Sequence, residues 1–292
     1  MSPMPQDPES QPPRRSMPAT LAAIVDHKRE EVERGKAAIS MRELEARVAQ
    51  ADPPRNFFGA LRRMSDAGLT AVIAEIKRRS PSAGWIRPEY ESDDFSPEVI
   101  ARAYLNGGAS AISCLTDERF FGGRLEFIQR IKDVVPLPVL RKDFIIDPWQ
   151  LWEARAAGAD AVLLIAECLT ESQIVDLLIL SQQLQMTALL EVHSMENLLR
   201  VRPHVGFPHP GYGLLGINNR DLHTMTTDLN HTVRLVDMVE DTSVLVSESG
   251  IRTPEDLTRL RRSGVKIVLV GEHLMRAEHP GEALERLLGR SA

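Results

Sequence analysis

The stretch VLRKDFIIDPWQLWEARAAGADAVLLI, residues 139–165, contains two apolar runs separated by a helical segment. The first run begins at Val139 and the second ends at Ile165, and both are short and rich in Val, Leu and Ile. That composition is typical of strands that are covered on both faces. The helix between them ends at Gly158, where a turn leads directly into the second strand. A strand that passes through a helix to another strand is the unit of a parallel α/β sheet.

The same unit repeats along most of the chain. Eight candidate strands are each too short for an amphipathic helix: LTAVIAEIK (69–77), ASAISCLT (109–116), LPVLRKDF (137–144), ADAVLLIA (159–166), MTALLEVH (186–193), GLLGINNRD (213–221), SVLVSESG (243–250) and KIVLVGEH (266–273). Strands that alternate with helices in this number predict an α/β fold of the closed (β/α)8 TIM barrel type. An open doubly wound sheet is the alternative, but EIKRRSPSAG (75–84) lacks the Gly-rich first turn of that fold.

The N-terminal part of the chain differs from the repeating units. Residues 1–18, MSPMPQDPESQPPRRSMP, are rich in Pro and polar residues and predict a flexible tail. We expect residues 19–292 to form a single domain, a barrel with an N-terminal helical extension. In that extension the pattern of residues 21–50 predicts one helix, and FFGALRRMSD (57–66) predicts a second, short one.

Composition restricts the class of protein. Of the 292 residues 43% are hydrophobic and 26% are charged, which is typical of a globular protein. The formal net charge of -6 does not favour nucleic acid or an anionic membrane as a partner. The chain's two cysteines, Cys114 and Cys168, are too few for a disulfide framework and fit a cytoplasmic location. No apolar run reaches the length of a membrane span.

The last residues of six predicted strands are, apart from one glycine, polar or charged. They are Glu75, Lys77, Lys142, Asp143, Glu191, His193, Asn218, Asn219, Arg220, Asp221, Ser247, Glu248, Ser249, Gly271 and Glu272. In a barrel all these positions lie on the C-terminal face, where active sites are built. Any single one is more often a solvated loop residue or a helix N-cap. Together they predict a cleft of mixed charge, in which Lys142 faces Glu75, Lys77 and Glu191.

The last two strands also carry a signal for phosphate. SESGI (247–251) and VLVGEHL (268–274) end strands 7 and 8, whose loops commonly bind phosphate in this fold. Gly250 and Gly271 lack Cβ atoms, so backbone N–H groups there can approach an oxyanion closely. Either glycine alone is also compatible with a plain turn. The loop RRSPSAG (78–84) is long enough to act as a mobile cover.

Several longer motifs resemble one family. AEIKRRSPSAGWI (74–86), AISCLTDERFFGG (111–123), LLEVHSMENL (189–198), GINNRDL (216–222), SESGI and VGEHLM (270–275), with residues 139–165 and the N-terminal LAAIVDHKREEV, are together similar to indole-3-glycerol phosphate synthases. The resemblance implies a cofactor-independent and metal-free carboxy-lyase of tryptophan biosynthesis. Its partner would be a small phosphorylated substrate, 1-(2-carboxyphenylamino)-1-deoxyribulose 5-phosphate. Neither nucleic acid nor a membrane is expected, and a monomer is compatible with the sequence.

The resemblance also implies roles for individual residues. Lys142 matches the family's general acid and Glu191 its general base, while Glu75, Lys77 and Asn218 match supporting catalytic positions. The implied substrate-binding residues are Arg220, Glu248, Phe121 and Phe144, and the implied phosphate-binding residues are Ser80, Ser249, Gly250, Gly271 and Glu272. His273 departs from the small residue that members often have at this position, so Glu272 would have to bind phosphate through its backbone N–H.

Two alternatives stay open at this level. One is another phosphate-binding barrel lyase in which Lys142 forms a Schiff base with the substrate. The other is an inactive barrel that serves as a scaffold. The charges at buried strand ends, such as Glu75 and Glu191, argue against a scaffold, because burying a charge is costly unless it is used or paired.

Overall fold

The computed structural model describes residues 18–290 and contains a closed barrel of eight parallel strands. The strands are β1 (Ala71–Ile76), β2 (Ala111–Leu115), β3 (Val139–Lys142), β4 (Ala161–Ile165), β5 (Thr187–Val192), β6 (Gly213–Asn218), β7 (Leu245–Glu248) and β8 (Ile267–Val270). Each strand pairs with the next along the chain, and β8 pairs with β1. The predicted (β/α)8 barrel and all eight predicted strands are therefore confirmed.

Helices precede the first strand and follow every strand. Those before β1 are α1 (Ala19–Ala38), α2 (Met41–Gln50) and α3 (Phe57–Asp66). Those after it, in chain order, are α4 (Pro97–Asn106), α5 (Glu118–Phe121), α6 (Phe127–Lys132), α7 (Pro148–Ala156), α8 (Glu171–Gln183), α9 (Met195–Val201), α10 (Asn230–Leu235), α11 (Pro254–Arg262), α12 (Glu272–Arg276) and α13 (Pro280–Leu287). The side chains of Asp147 and Thr170 form capping boxes that fix the starts of α7 and α8.

Alternate residues of each strand point into the barrel, because side chains alternate between the two faces of a strand. Ile73 of β1, Leu140 of β3 and Leu189 of β5 fill the interior, and Phe57 of α3 joins this cluster. The other face of each strand packs against the surrounding helices in a larger cluster that includes Val72. The barrel is thus a packed core and leaves space for a site only at its ends.

The same alternation orients the polar residues at the strand ends. Leu140 is followed two residues later by Lys142, and Leu189 by Glu191, so both polar side chains also point inward. The inward-facing polar residues at the carboxyl ends of the strands are Glu75, Lys142, Glu191, Asn218 and Glu248. A regular strand pattern therefore builds the floor of the site without any special backbone geometry.

The N-terminal extension is not the single helix that residues 21–50 predicted. The helix is interrupted at Ile39–Ser40. The Ser40 side chain accepts a hydrogen bond from the backbone N–H of Glu43 and so caps the start of α2. The predicted tail lies outside the described residues except for Pro18, whose carbonyl oxygen accepts the first hydrogen bond of α1. Within residues 18–290 no helix is long and apolar enough to cross a membrane.

Candidate active site

A cavity of about 470 Å³ opens at the carboxyl ends of the strands. Its lining includes every residue to which the family resemblance assigned a role: Glu75, Lys77, Ser80, Phe121, Lys142, Phe144, Glu191, Asn218, Arg220, Glu248, Ser249, Gly250, Gly271 and Glu272. Three other predicted strand-end residues, Asn219, Asp221 and Ser247, do not line it. Among residues 18–290, no group of three or more His, Cys, Asp or Glu side chains could hold a metal ion.

Lys142 lies at the centre of the charged floor. Its Nζ is 3.6 Å from Oε2 of Glu191, 3.7 Å from Oε2 of Glu75 and 3.8 Å from Oε2 of Glu248. Burial alone would lower the pKa of Lys142, but the three carboxylates outweigh burial and raise that pKa above its ordinary value. The side chain is therefore held as an ammonium group that can donate a proton to an acceptor in the cavity.

Glu191 and Glu248 are two buried carboxyl groups whose pKa values shift in opposite directions. Burial opposes ionisation of Glu191, but the charges of Lys142 and His193 lower the pKa of Glu191 below its ordinary value. Burial and the charge of Glu191 raise the pKa of Glu248 well above its ordinary value. The pKa values of two neighbouring carboxyl groups differ in this way because ionisation of one group makes ionisation of the other unfavourable. Glu191 is thus the member of the pair that is available to accept a proton.

Glu75 pairs with a second lysine on the same strand end. The Nζ of Lys77 lies 2.6 Å from Oε1 of Glu75, and the charges of Lys77 and Lys142 overcome burial to lower the pKa of Glu75. A Cβ atom at Gly271 would stand 2.2 Å from the same Oε1. The glycine is therefore needed for the close approach of the β8 end to this carboxylate, in addition to any role in binding phosphate.

The loops after β7 and β8 line another part of the cavity. Ser249 and Gly250 adopt φ angles of 68° and 81°, so the backbone turns sharply after β7. Glu272 accepts hydrogen bonds from Arg276 Nε at 3.0 Å and from Arg220 at 3.3 Å. These arginines partly neutralise the carboxylate that the sequence led us to expect would repel phosphate.

The loop after β1 is fastened to its surroundings by Arg78. The Arg78 guanidinium donates to the carbonyl oxygens of Tyr90 and Ser92, at 2.6 Å and 2.9 Å. It also lies over the rings of Trp85 and Phe95, 5.1 Å from each centroid. Arg78 does not line the cavity, and these contacts hold in place the loop that the sequence analysis treated as a mobile cover.

One wall of the cavity is apolar. The rings of Phe121 and Phe144 lie 5.9 Å apart with an interplanar angle of 38°. Leu21 and Ile24 of α1 contribute aliphatic side chains to the lining. A wall of two aromatic rings and branched side chains suits the face of a planar ring.

Sequence reasoning missed the residue that fastens α1 beside this wall. Lys28 is buried, and its Nζ lies 2.9 Å from Oδ1 of Asp143 and 3.0 Å from Oδ2 of Asp117. Asp143 directly follows Lys142, and Asp117 caps α5, the helix that carries Phe121. A lysine within a charged amphipathic helix predicts a solvated side chain, so the sequence held no signal for this contact.

Glu167, in the turn after β4, was also missed. Its carboxylate contacts both the ring and the backbone N–H of His193, whose other ring nitrogen faces Glu191. His193 stands at the end of a predicted strand, two residues after Glu191. The partner on the neighbouring strand could not be identified, because nothing in AECLTE (166–171) distinguishes Glu167 from a solvated residue.

Known proteins resemble this chain over nearly its whole length. A family model described as Indole-3-glycerol phosphate synthase matches residues 21–287. The chain is 45% identical over 269 residues to the indole-3-glycerol phosphate synthase of Rhodospirillum rubrum, covering 92% of this chain and 98% of that protein. It is 45% identical over 256 residues to the indole-3-glycerol phosphate synthase of Rhodopirellula baltica, and the match covers 88% of this chain and 93% of that protein.

Solved structures agree on the fold alone. Tryptophan synthase subunit alpha from Legionella pneumophila is similar with a TM-score of 0.56 at 14% identity, over 81% of this chain and 98% of that chain. Identity this low carries no argument about activity. The family model and the relatives at 45% identity cover nearly the whole barrel. The chain belongs to the indole-3-glycerol phosphate synthase family.

Proposed function

We propose that the chain converts 1-(2-carboxyphenylamino)-1-deoxyribulose 5-phosphate into indole-3-glycerol phosphate, carbon dioxide and water. The observation that carries the proposal is the Lys142 ammonium group, held 3.6–3.8 Å from three carboxyl groups on the floor of the cavity. The apolar wall suits the carboxyphenyl ring, and the loops after β7 and β8 suit the phosphate at the other end of the substrate. The activity is that of a carboxy-lyase in tryptophan biosynthesis.

In ring closure, Lys142 is the general acid. The aromatic carbon that bears the carboxylate attacks the substrate's carbonyl carbon, and Lys142 gives its proton to the carbonyl oxygen, which becomes a hydroxyl group. The carboxylate then leaves as carbon dioxide, and its electron pair restores the aromatic ring. Because an anionic carboxylate is converted into a neutral gas, one proton is taken from solvent in each turnover.

In the dehydration step, Glu191 is the general base. It removes a proton from the carbon next to the ring nitrogen while the hydroxyl group leaves as water. Lys77, paired with Glu75, is placed to protonate the leaving hydroxyl group. Asn218 accepts a hydrogen bond from the backbone N–H of Arg220 at 3.0 Å and so connects the floor to the loop after β6.

Location and assembly are part of the same proposal. Cys114 and Cys168 are both free thiols, which suits the reducing cytoplasm. A monomer is the proposed assembly. The substrate is a small phosphorylated molecule, and the acidic net charge of -6 gives no reason to invoke nucleic acid as a partner.

The proposed function is tested with the purified chain and the carboxyphenylamino substrate. Formation of the indole ring should raise fluorescence continuously without any added metal or cofactor. Glu191→Gln should remove most of the turnover, by about two to four orders of magnitude, because it deletes the base but keeps the side-chain shape. Borohydride added during turnover should leave no adduct on Lys142. No indole product from the folded chain, or a borohydride adduct on Lys142, would contradict the proposal.

A second test concerns the phosphate end of the cavity. Gly250→Ala should raise KM and weaken inhibition by inorganic phosphate by about tenfold each, with a smaller change in kcat. The reason is that Gly250 has a φ of 81°, which favours glycine, and an added Cβ would stand 2.8 Å from Thr227. Gly68→Ala is the matched control, because φ there is 77° and no atom lies within 4 Å of an added Cβ.

The two glycine variants separate local binding from general strain. Gly68→Ala should lose stability but keep the parent KM and phosphate inhibition, because Gly68 does not line the cavity. Gly271→Ala is less informative, since its Cβ would strike Glu75 and damage the catalytic floor as well. Unaltered phosphate inhibition in folded Gly250→Ala would mean that phosphate binds elsewhere.

A further inference from the structure

His193 bridges two carboxylates beside the catalytic floor. Its Nε2 lies 3.3 Å from Oε1 of Glu191, and its Nδ1 lies 3.1 Å from Oε2 of Glu167. The side chains of His193 and Glu167 are 7% and 13% exposed, so both are largely removed from solvent. A neutral imidazole ring donates only one hydrogen bond, whereas an imidazolium ring donates at both nitrogens. A ring placed between two carboxylates is therefore favoured in its charged form.

Glu167 is itself fixed from several directions. Its Oε1 accepts hydrogen bonds from the backbone N–H of His193 and from Nδ2 of Asn197, both at 2.9 Å. Arg200 donates to Oδ1 of Asn197 at 2.9 Å and to the carbonyl oxygen of Leu169 at 3.0 Å. The turn after β4 and helix α9 thus hold Glu167 in one orientation, and Glu167 in turn holds the ring.

The two carboxylate oxygens of Glu191 have different neighbours. Oε1 lies 3.3 Å from Nε2 of the His193 ring, whereas Oε2 lies 3.6 Å from Nζ of Lys142 and has no hydrogen-bond partner among the described residues. A general base must be held within reach of the proton that it removes, and its carboxylate must be ionised. Fixing Oε1 and placing a positive charge beside it serves both needs without occupying Oε2.

We infer that His193, oriented by Glu167, is a positioning residue for Glu191: the imidazolium ring holds one carboxylate oxygen, keeps the base ionised and leaves the other oxygen for the substrate. The inference rests on the proposed function, in which Glu191 is the base. None of the three residues needs to move, because the chain from Glu167 through His193 to Glu191 is already formed in the structure.

The charged and titratable groups that face the His193 ring come from four elements. They are Glu191 of β5, Glu167 of the turn after β4, Lys142 of β3 and His231 of α10. Burial and Lys142 disfavour the charged ring, but Glu167 and Glu191 outweigh them and raise the pKa of His193 above its ordinary value. In return, the His193 charge lowers the pKa of Glu191. Removing that charge must therefore raise the pKa of Glu191.

The test is the pH profile of kcat in His193→Gln. Glutamine keeps a donor for Oε1 of Glu191 but carries no charge. We expect kcat at neutral pH to fall roughly tenfold or more, with KM within about threefold of the parent. The acid limb of the kcat profile, which reports protonation of the base in the substrate complex, should move to higher pH by about one unit. An unchanged acid limb and kcat would overturn the inference.

Glu167→Gln supplies an independent variant in case His193→Gln does not fold. It should shift the acid limb in the same direction, because the ring loses the carboxylate that favours its charge. The double variant should behave like His193→Gln alone, since Glu167 acts only through the ring. Additive losses in the double variant, or a parent-like profile in Glu167→Gln, would contradict the proposed chain of contacts.

A matched control comes from another His–Glu pair near α9. His204 Nε2 lies 2.9 Å from Oε1 of Glu171, outside the cavity lining, so His204→Gln should leave the pH profile unchanged. Ring 15N shifts from histidine-labelled protein give a readout that does not need turnover. At pH 7 the His193 ring should be charged in the parent and neutral in Glu167→Gln. A neutral ring in the parent overturns the inference, whereas loss of turnover in the parent alone counts only against the proposed function.

Discussion

Replacing Lys142 with Met is expected to reduce turnover by about two to four orders of magnitude. Methionine keeps much of the length and volume of the side chain but cannot donate a proton to the substrate's carbonyl oxygen. It also removes the cation that lies 3.6 Å from Glu191 and 3.7 Å from Glu75. The measurement is indole fluorescence at saturating substrate, on protein shown to be folded by circular dichroism.

Lys132→Met is the matched control for this change. Lys132 is also a lysine paired with a buried carboxylate, since its Nζ lies 2.6 Å from Oδ1 of Asp160. Asp160 precedes β4, so the pair lies at the end of the barrel opposite to the cavity. Lys132→Met should lower stability but leave kcat near that of the parent. Turnover close to the parent value in folded Lys142→Met would refute the assignment of Lys142 as the acid.

The Lys142 variant should also show a characteristic dependence on pH. Without the cation, Glu75 and Glu191 lose a charge that lowers their pKa values, so both pKa values rise. Any residual turnover should therefore disappear at a higher pH than in the parent as the solution is acidified. Lys142→Met should also lower the free energy of unfolding. This loss should be largest at neutral pH and should shrink in acid, where the carboxyl groups take up protons.

Lys28→Met is expected to have the largest effect on stability. The variant leaves Asp117 and Asp143, which are almost fully buried, without the cation that lies about 3 Å from each of them. Breaking a buried ion pair by removing one partner typically costs about 3–5 kcal/mol. In a domain of this size that corresponds to a fall in Tm of roughly 10 °C. Thermal unfolding followed by circular dichroism measures the change.

The pH dependence of the Lys28 effect follows from Asp143. Burial favours the protonated acid, but Lys28 and Arg141 hold the pKa of Asp143 well below its ordinary value. A depressed pKa contributes stability above the unfolded value of about 4, and the contribution is lost as the pH falls. The Lys28→Met deficit should therefore be full at pH 7.5 and should shrink only as the pH falls below about 4. A deficit that is independent of pH would show that packing, and not charge, is what the variant loses.

Lys36→Met provides a control on the same helix. Its Nζ lies 2.7 Å from Oδ2 of Asp147, but the Lys36 side chain is 37% exposed. Solvent-exposed ion pairs contribute at most about 1 kcal/mol, so the fall in Tm should be small. Equal losses in the two variants would contradict the importance of burial. Turnover should fall only in Lys28→Met, because Asp143 and Asp117 adjoin Lys142 and the helix that carries Phe121.

The sequence predicted the barrel and the floor of the site for one physical reason. Strand residues alternate between two faces, so a polar residue two positions after a buried Leu or Ile must point to the same side. Leu140 with Lys142 and Leu189 with Glu191 follow this rule. The structure places the two leucines in the barrel interior and the two polar residues in the cavity lining. The family motifs added roles to positions that the pattern had already brought together.

Contacts between side chains on separate helices, turns and strands could not be predicted from the sequence. Lys28 and Glu167 each stand among polar residues, and their burial depends on where a helix or a turn docks. The break between α1 and α2 was different, because Ser40 followed three residues later by Glu43 is a recognisable helix start. The prediction of one helix over residues 21–50 was wrong because it relied on the continuous charged pattern and overlooked this local capping signal.

Closure of the barrel has a consequence for synthesis on the ribosome. The first strand, Ala71–Ile76, pairs on one side with Ile267–Val270, the last strand to be made. At the usual 5–20 residues per second, the roughly 200 residues between them take about 10 to 40 s to translate. During that time one hydrogen-bonding edge of the first strand has no native partner, and exposed edges promote aggregation. A nascent chain of this protein should therefore need chaperone protection until its final strand has emerged.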